Sequence, residues 1–184
     1  MNTYPKIIDS PLSNGQAHLQ VIDETFSYRG EKYAYQHYNY KDAETGIEFT
    51  TEAMDFDNLE QVYAQYRLRH GIPSPAELKE TRDKYGLSAL KMSEVLGLGV
   101  NQYRRYEDGE MPSEAIGKML RSIETPTTFF GYVENAKNQF EAAEYDKICR
   151  KVQKSFVDNV KSRPDFSWLS EWFSPNWMRG KVAL

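Results

Sequence analysis

The chain has 184 residues, 40% of them hydrophobic, and a formal net charge of −4. That length accommodates one medium domain or two small ones with a packed core. The lack of an apolar run of about 18 residues excludes a membrane-spanning helix, and a lone cysteine, Cys149, excludes an intramolecular disulfide.

The charge is unevenly spread. Residues 1–66 carry 4 Lys/Arg against 11 Asp/Glu, a net of −7, whereas 67–122 carry 10 against 8 and 123–184 carry 9 against 8. Any nucleic acid would therefore be held by a local surface and not by the field of the whole chain. The opening MNTYPKIIDSPLSNG has no basic segment followed by an apolar stretch, so no signal peptide is expected. With no disulfide to form, a cytoplasmic location is expected. Cys149 is expected as a small buried residue of a helix.

Residues 16–50 are predicted as antiparallel strands. QAHLQVIDETFSYRGEKYAYQHYNY places β-branched and aromatic residues on both sides of Arg29-Gly30, a hairpin turn. Asp42 to Gly46 reads as a second turn and IEFTT as a short third strand. The period then changes. Phe56, Leu59, Val62, Tyr63 and Tyr66 are helically spaced, with Asp55 or Asp57 as the expected N-cap and Gly71 as the stop. IPSP at 72–75 breaks the chain.

Beyond the break, Ser74 is expected to cap a helix starting at Pro75, with Glu77 completing a capping box. Gly86 stops it. Ser88 caps a second helix, ALKMSEVL, and a tight GLG turn leads to a third from about Val100 to Glu107. Pro112-Ser113 opens a fourth helix, Thr125-Pro126 a fifth, and a sixth covers roughly 140–161. In the tail, Trp168, Leu169, Trp172 and Phe173 are expected on one side of a short helix. The expected fold is α+β. A small antiparallel β domain (1–54) and a helix with linker (55–73) precede an all-α helix-turn-helix domain (74–124) and a C-terminal helical extension (125–184).

Two short helices joined by a glycine-containing turn, with further helices around them, describe a helix-turn-helix. Met92, Val95 and Leu96 share one face of its first member. Tyr103 and Tyr106, three apart on its second member, pack inward and leave Asn101, Gln102, Arg104 and Arg105 outward. Asn101 and Arg105 are spaced i, i+4, on one face. Asn pairs bidentately with adenine and Arg with guanine in the major groove, so these two are the expected base readers. Gln102 and Arg104 flank them as backbone or neighbouring contacts, joined by Ser88 and Lys91. The competing reading is a solvated basic face on an ordinary surface helix.

AELKETRDKYGLSALKMSEVLGLGVNQYRRYEDGEMPSEAIGKMLRSI resembles a lambda-repressor-like (Xre-type) helix-turn-helix, in particular the C-terminal DNA-binding domain of MqsA-type antitoxins. GLS at 86–88, LGLGVN at 96–101 and RYEDGEMPS at 105–113 carry the likeness, which covers roughly residues 50–125. The resemblance implies base contacts by Asn101 and Arg105, the pair that helical spacing also selects. It further implies an N-terminal zinc finger with two Cys-x-x-Cys pairs, but this chain has Ser10, Ser13, Asp42 and Thr45 in those places. Neutral hydroxyls are poor zinc ligands, and lone His18 and His37 are more commonly structural. The expectation is a finger that keeps its shape without metal or other cofactor, held by Tyr28, Tyr33, Tyr35, Tyr38 and Tyr40; the alternatives are a partly disordered segment and a different metal site formed by His18, His37 and Asp42.

The expected function is that of a DNA-binding transcriptional regulator acting on double-stranded DNA as a homodimer. The alternative is an antitoxin that neutralises a basic toxin protein through acidic residues 1–66. No nucleophile–base pattern, phosphate-binding glycine loop or metal quartet suggests an enzyme.

Overall fold

The hairpin predicted around Arg29-Gly30 dominates the front of the chain. In the computed structural model, which describes residues 3–161 and only the backbone of 156–161, β2 (Gln16–Tyr28) pairs antiparallel with β3 (Glu31–Asp42). Arg29 and Gly30 both have positive φ, 48° and 85°, as a two-residue turn matched to strand twist requires. Two short strands complete the sheet. β1 (Ile7–Asp9), absent from the sequence reading because three residues carry no periodicity, pairs with β2, and β4 (Glu48–Phe49) pairs with β3, giving the order β1-β2-β3-β4. Seven α-helices follow among the described residues, and the chain is α+β.

α1 (Glu52–His70) is capped by Thr51, whose hydroxyl accepts from the Met54 amide, and not by Asp55 or Asp57. Only Thr50 separates Thr51 from the end of β4. Gly71 closes it in the left-handed conformation. The buried face also differs from the apolar spacing. Met54, Asn58, Val62, Tyr66 and Arg67 are buried, while Phe56 and Leu59 are exposed.

The reason lies in what α1 covers. The Asn58 carboxamide accepts from the Tyr38 amide at 2.9 Å and donates to the Tyr38 carbonyl at 3.0 Å. Gln61 does the same to Gln36, at 3.1 and 2.9 Å, and Gln65 donates to the Ala34 carbonyl at 2.9 Å. Residues 34, 36 and 38 point their backbone groups away from β2. Three side-chain amides thus stand in for a neighbouring strand and seal an edge that would otherwise invite another chain. Apolar periodicity does not count amides.

Aromatic packing closes the far end of the hairpin. Tyr66 meets Tyr28 and Tyr33 edge-on, with ring centroids 5.1 and 6.2 Å apart, and lies 4.3 Å from the His70 ring. Tyr33 and Tyr66 are among the largest fully buried side chains. The Glu31 carboxylate at the turn accepts from Tyr33, Arg69 and His70 at 2.6, 2.8 and 2.9 Å. These donors, the Tyr33 hydroxyl first, hold the Glu31 carboxyl down to about 2.

The chain divides into two compact units, Met1–Ile72 and Pro73–Leu184. In the second, α2 (Pro75–Tyr85) starts with the expected capping box between Ser74 and Glu77 and ends at Gly86. α3 (Ala89–Val95) is capped by Ser88, α4 (Gln102–Glu107) follows the glycine turn, and α5 (Glu114–Ser122) is capped by Ser113. α6 (Pro126–Asn135), a single 3-10 turn (Lys137–Gln139) and α7 (Ala142–Lys161) come last. Phe129, Val133, Ile148 and Val152 from α6 and α7 join Leu78, Tyr85, Met92, Val95, Tyr103 and Leu120 in one core. Tyr85 stacks on Phe129 at 4.1 Å. Residues 125–155 are therefore part of the body that holds the short helices in place. The tryptophan-bearing segment 162–184 lies outside the described residues. No described helix is long and apolar enough to cross a membrane.

Candidate nucleic-acid interface

α4 has six residues, far too few to be stable alone, so its position is set by what it packs on. Tyr103 is fully buried and Tyr106 is 7% exposed. The Tyr103 hydroxyl donates to the Leu78 carbonyl at 2.9 Å, tying α4 to α2. Burial pushes that phenol far above its ordinary range and keeps it a donor. Glu107, the one acid within α4, turns back to Arg82, whose Nε lies 2.6 Å from it. Arg104 and Arg105 remain on the exposed side.

Two corrections to the predicted geometry bear on this face. The helix starts at Gln102 and not at Val100, and Asn101 is its N-cap residue with φ 61°. Asn tolerates that left-handed backbone better than most residues. Asn101 and Arg105 are still joined across one turn, since the Arg105 amide donates to the Asn101 carbonyl at 3.1 Å. Both are exposed, but Asn101 projects from the end of the helix and not from its side. Lys91 is not turned outward. It lies 2.5 Å from both Glu94 and Glu144 and over the Phe140 ring at 4.9 Å, with 22% of its side chain exposed. Its charge is committed to holding α3 against α7 and the segment before it.

An N-cap side chain normally accepts from one of the first helix amides. Asn101 makes no such bond. The Ser93 hydroxyl, from α3, does so instead, accepting from the Tyr103 amide at 3.0 Å inside the core. Ser93 is 1% exposed. A serine between Met92 and Val95 on a buried helix face is the one sequence signal of this role. By capping α4 from the neighbouring helix, Ser93 leaves the Asn101 carboxamide available to a ligand.

The remaining predicted residues fall as follows. Gln102 is half-buried and donates to Glu110 at 2.8 Å. Arg104 faces Asp108 at 3.9 Å with 72% of its side chain exposed, a surface pair of ~0.5 kcal/mol or less that yields readily to a phosphate. Ser88 is exposed and spends its hydroxyl on the Lys91 amide. In the turn, Gly97 has φ +65°, a conformation that favours glycine, whereas Gly99 has neither positive φ nor any atom within 4 Å of where a Cβ would stand. The fold does not require glycine there. Val100, beside it, is 79% exposed.

No known protein family matches the chain, and no curated protein matches it in sequence.

The first unit holds a second constellation. Two pairs distant in sequence, Ser10 with Ser13 and Asp42 with Thr45, come together at the base of the sheet. Asp42, 1% exposed, is the hub. Its carboxylate accepts from the Ser13 hydroxyl at 2.6 Å, the Thr45 hydroxyl at 2.8 Å, and the amides of Thr45 and Glu44 at 2.6 and 3.0 Å. These donors, with Ser10 contributing most, hold the Asp42 carboxyl well below the usual carboxylate range. The two arms share a local pattern. The Leu12 amide donates to the Ser10 hydroxyl and the Gly15 amide to Ser13, both at 3.1 Å, as Ile47 donates to Thr45 at 3.3 Å. Three hydroxyls and one carboxylate are not a structural zinc set, so a hydrogen-bonded cluster performs the cross-linking. Among the described residues, His18, His37 and Asp42 form no group able to hold a metal. His37 instead lies 3.1 Å from the Tyr35 hydroxyl.

Proposed function

We propose that this protein is a sequence-specific DNA-binding transcriptional regulator that inserts α4 into the major groove, one copy per half-site of a homodimer. The observation that carries the reading is the sidedness of α4. Both tyrosines and Glu107 turn inward, and Asn101, Arg104 and Arg105 are presented outward with Asn101 relieved of capping by Ser93. Asn101 reads adenine and Arg105 reads guanine, each bidentately. Arg104 holds a phosphate, and Gln102 and Ser88 flank the reading pair. Lys91 acts through the fold. Occlusion of a promoter, its own in the simplest case, follows from such binding.

The test is fluorescence anisotropy on DNA from upstream of its gene against scrambled DNA, at two salt concentrations. Wild type is compared with Asn101→Gly/Arg105→Ala. Glycine keeps the left-handed backbone at 101 while deleting the carboxamide. The reading predicts tight binding to the upstream DNA alone, lost in the folded double variant. Equal weak binding to both DNAs, unaltered by the substitutions, refutes it.

A second reading, an antitoxin of the MqsA type that blocks a basic toxin through residues 1–66, is favoured by the convergence of Ser10, Ser13, Asp42 and Thr45. The resemblance puts that family's metal ligands at these four positions, and their meeting in space is what supports this reading. A small basic reading frame beside the gene, whose product binds the chain, would support this reading.

A further inference from the structure

The turn between α3 and α4 carries a glycine the fold does not require, followed by two side chains it does not use. Gly99 is glycine without backbone need or steric crowding. Val100 is a β-branched apolar residue 79% exposed. Asn101 is an amide at a helix start that makes no side-chain cap bond. An exposed valine on its own needs no explanation. Here it stands next in sequence to an exposed carboxamide, on the same turn, with bare backbone on its other side. Adjacent exposed side chains on one turn can meet adjacent base pairs of a duplex bound there.

Only one base presents an apolar group in the major groove, namely thymine through its 5-methyl. We propose that Val100 is a specificity-determining residue, selecting a thymine next to the adenine read by Asn101 by packing its side chain on that methyl group. This rests on the DNA-reading proposal above. Valine suits the task because its χ1 is stiff and little rotamer freedom is lost on contact. Gly99, lacking a Cβ, lets the turn approach closely enough for the contact to form.

The test starts by selecting binding sites from a random duplex pool with the full chain. The enriched duplex is then remade with each thymine in turn replaced by deoxyuridine, which removes only the 5-methyl group. Anisotropy is measured for wild type and Val100→Ala. One buried methyl corresponds to about a fourfold change in affinity. The expected result is a single deoxyuridine position per half-site, adjacent to the adenine, that weakens wild type about fourfold and leaves Val100→Ala unchanged. That coupling is the signature of direct contact. Val100 is exposed, so the alanine variant keeps its thermal midpoint, which circular dichroism checks. An enriched site with no thymine beside the adenine, or equal deoxyuridine effects in both proteins, overturns the role of Val100 while leaving DNA reading intact. Failure to enrich any sequence overturns both.

Discussion

Ser93→Ala is the sharpest perturbation the structure offers, because it removes one oxygen from the core and tests how α4 is held. The variant deletes the acceptor of the Tyr103 amide. Ser93 and Tyr103 are 1% and 0% exposed, so water does not readily replace the lost bond. A buried unsatisfied amide costs about 1–3 kcal/mol, and a lost helix cap costs about 0.5–2 kcal/mol in other proteins. These describe the same bond and do not add, and alanine's better helix propensity within α3 returns ~0.5 kcal/mol. The expected net loss is about 1.5 kcal/mol. Urea unfolding followed by circular dichroism at the helix band measures it, with Asn101→Gly as the control expected within ~0.5 kcal/mol of wild type. DNA affinity falls in Ser93→Ala although the serine touches no DNA, because the start of α4 loosens. An unfolding midpoint indistinguishable from wild type would refute the capping role and with it the reason for Asn101 being available.

Three further outcomes follow. Gly99→Ala is expected to match wild type in thermal midpoint, since a Cβ there meets nothing, yet to bind the operator at least several-fold more weakly by anisotropy; unaltered affinity would remove the turn from the interface. Replacing Ser10, Ser13, Asp42 and Thr45 together by cysteine should create a tetrahedral zinc site, seen as one equivalent of zinc retained after desalting and a higher melting temperature with metal than with chelator; a chain that retains none would contradict the finger geometry. On acidification, Glu31 and Glu77, both held down to about 2 from an ordinary 4.5, contribute stability that is fully present above about pH 4.5 and lost as pH falls toward 2. Asp42, also depressed, acts in the same direction. Glu31→Gln should flatten the acid limb of the stability profile, and an unchanged limb would show that its three donors contribute nothing.

Much of this architecture was legible because it is written in local chemistry. Arg29-Gly30, the Ser74/Glu77 box, Ser88, Ser113 and the glycines at 71 and 86 announce a turn or a helix end through their own backbone preferences. The inward tyrosines of α4 followed from helical spacing. What stayed hidden depends on partners distant in sequence. Helical spacing of apolar residues takes no account of Asn58, Gln61 and Gln65, which act as the neighbouring strand of β3, so the buried face of α1 takes in Asn58 and leaves Phe56 and Leu59 exposed. Lys91 is expected among the DNA-flanking contacts from its own helix alone, but Glu144, distant in sequence, is brought beside it. Ser93 serves a helix ten residues on. Asn101 looked helical by spacing alone, but the preceding Gly-Leu-Gly-Val turn sets it left-handed.

The measurement that bears most directly on the central claim is methylation interference on the selected duplex, since methyl groups placed at guanine N7 block the major-groove atom that Arg105 is proposed to read. The account predicts interference at one guanine per half-site, at two half-sites about 10 base pairs or a multiple of that apart, and its disappearance in Arg105→Ala wherever residual binding is measurable. Binding that tolerates N7 methylation at every guanine, or interference that persists in Arg105→Ala, would contradict major-groove reading by α4.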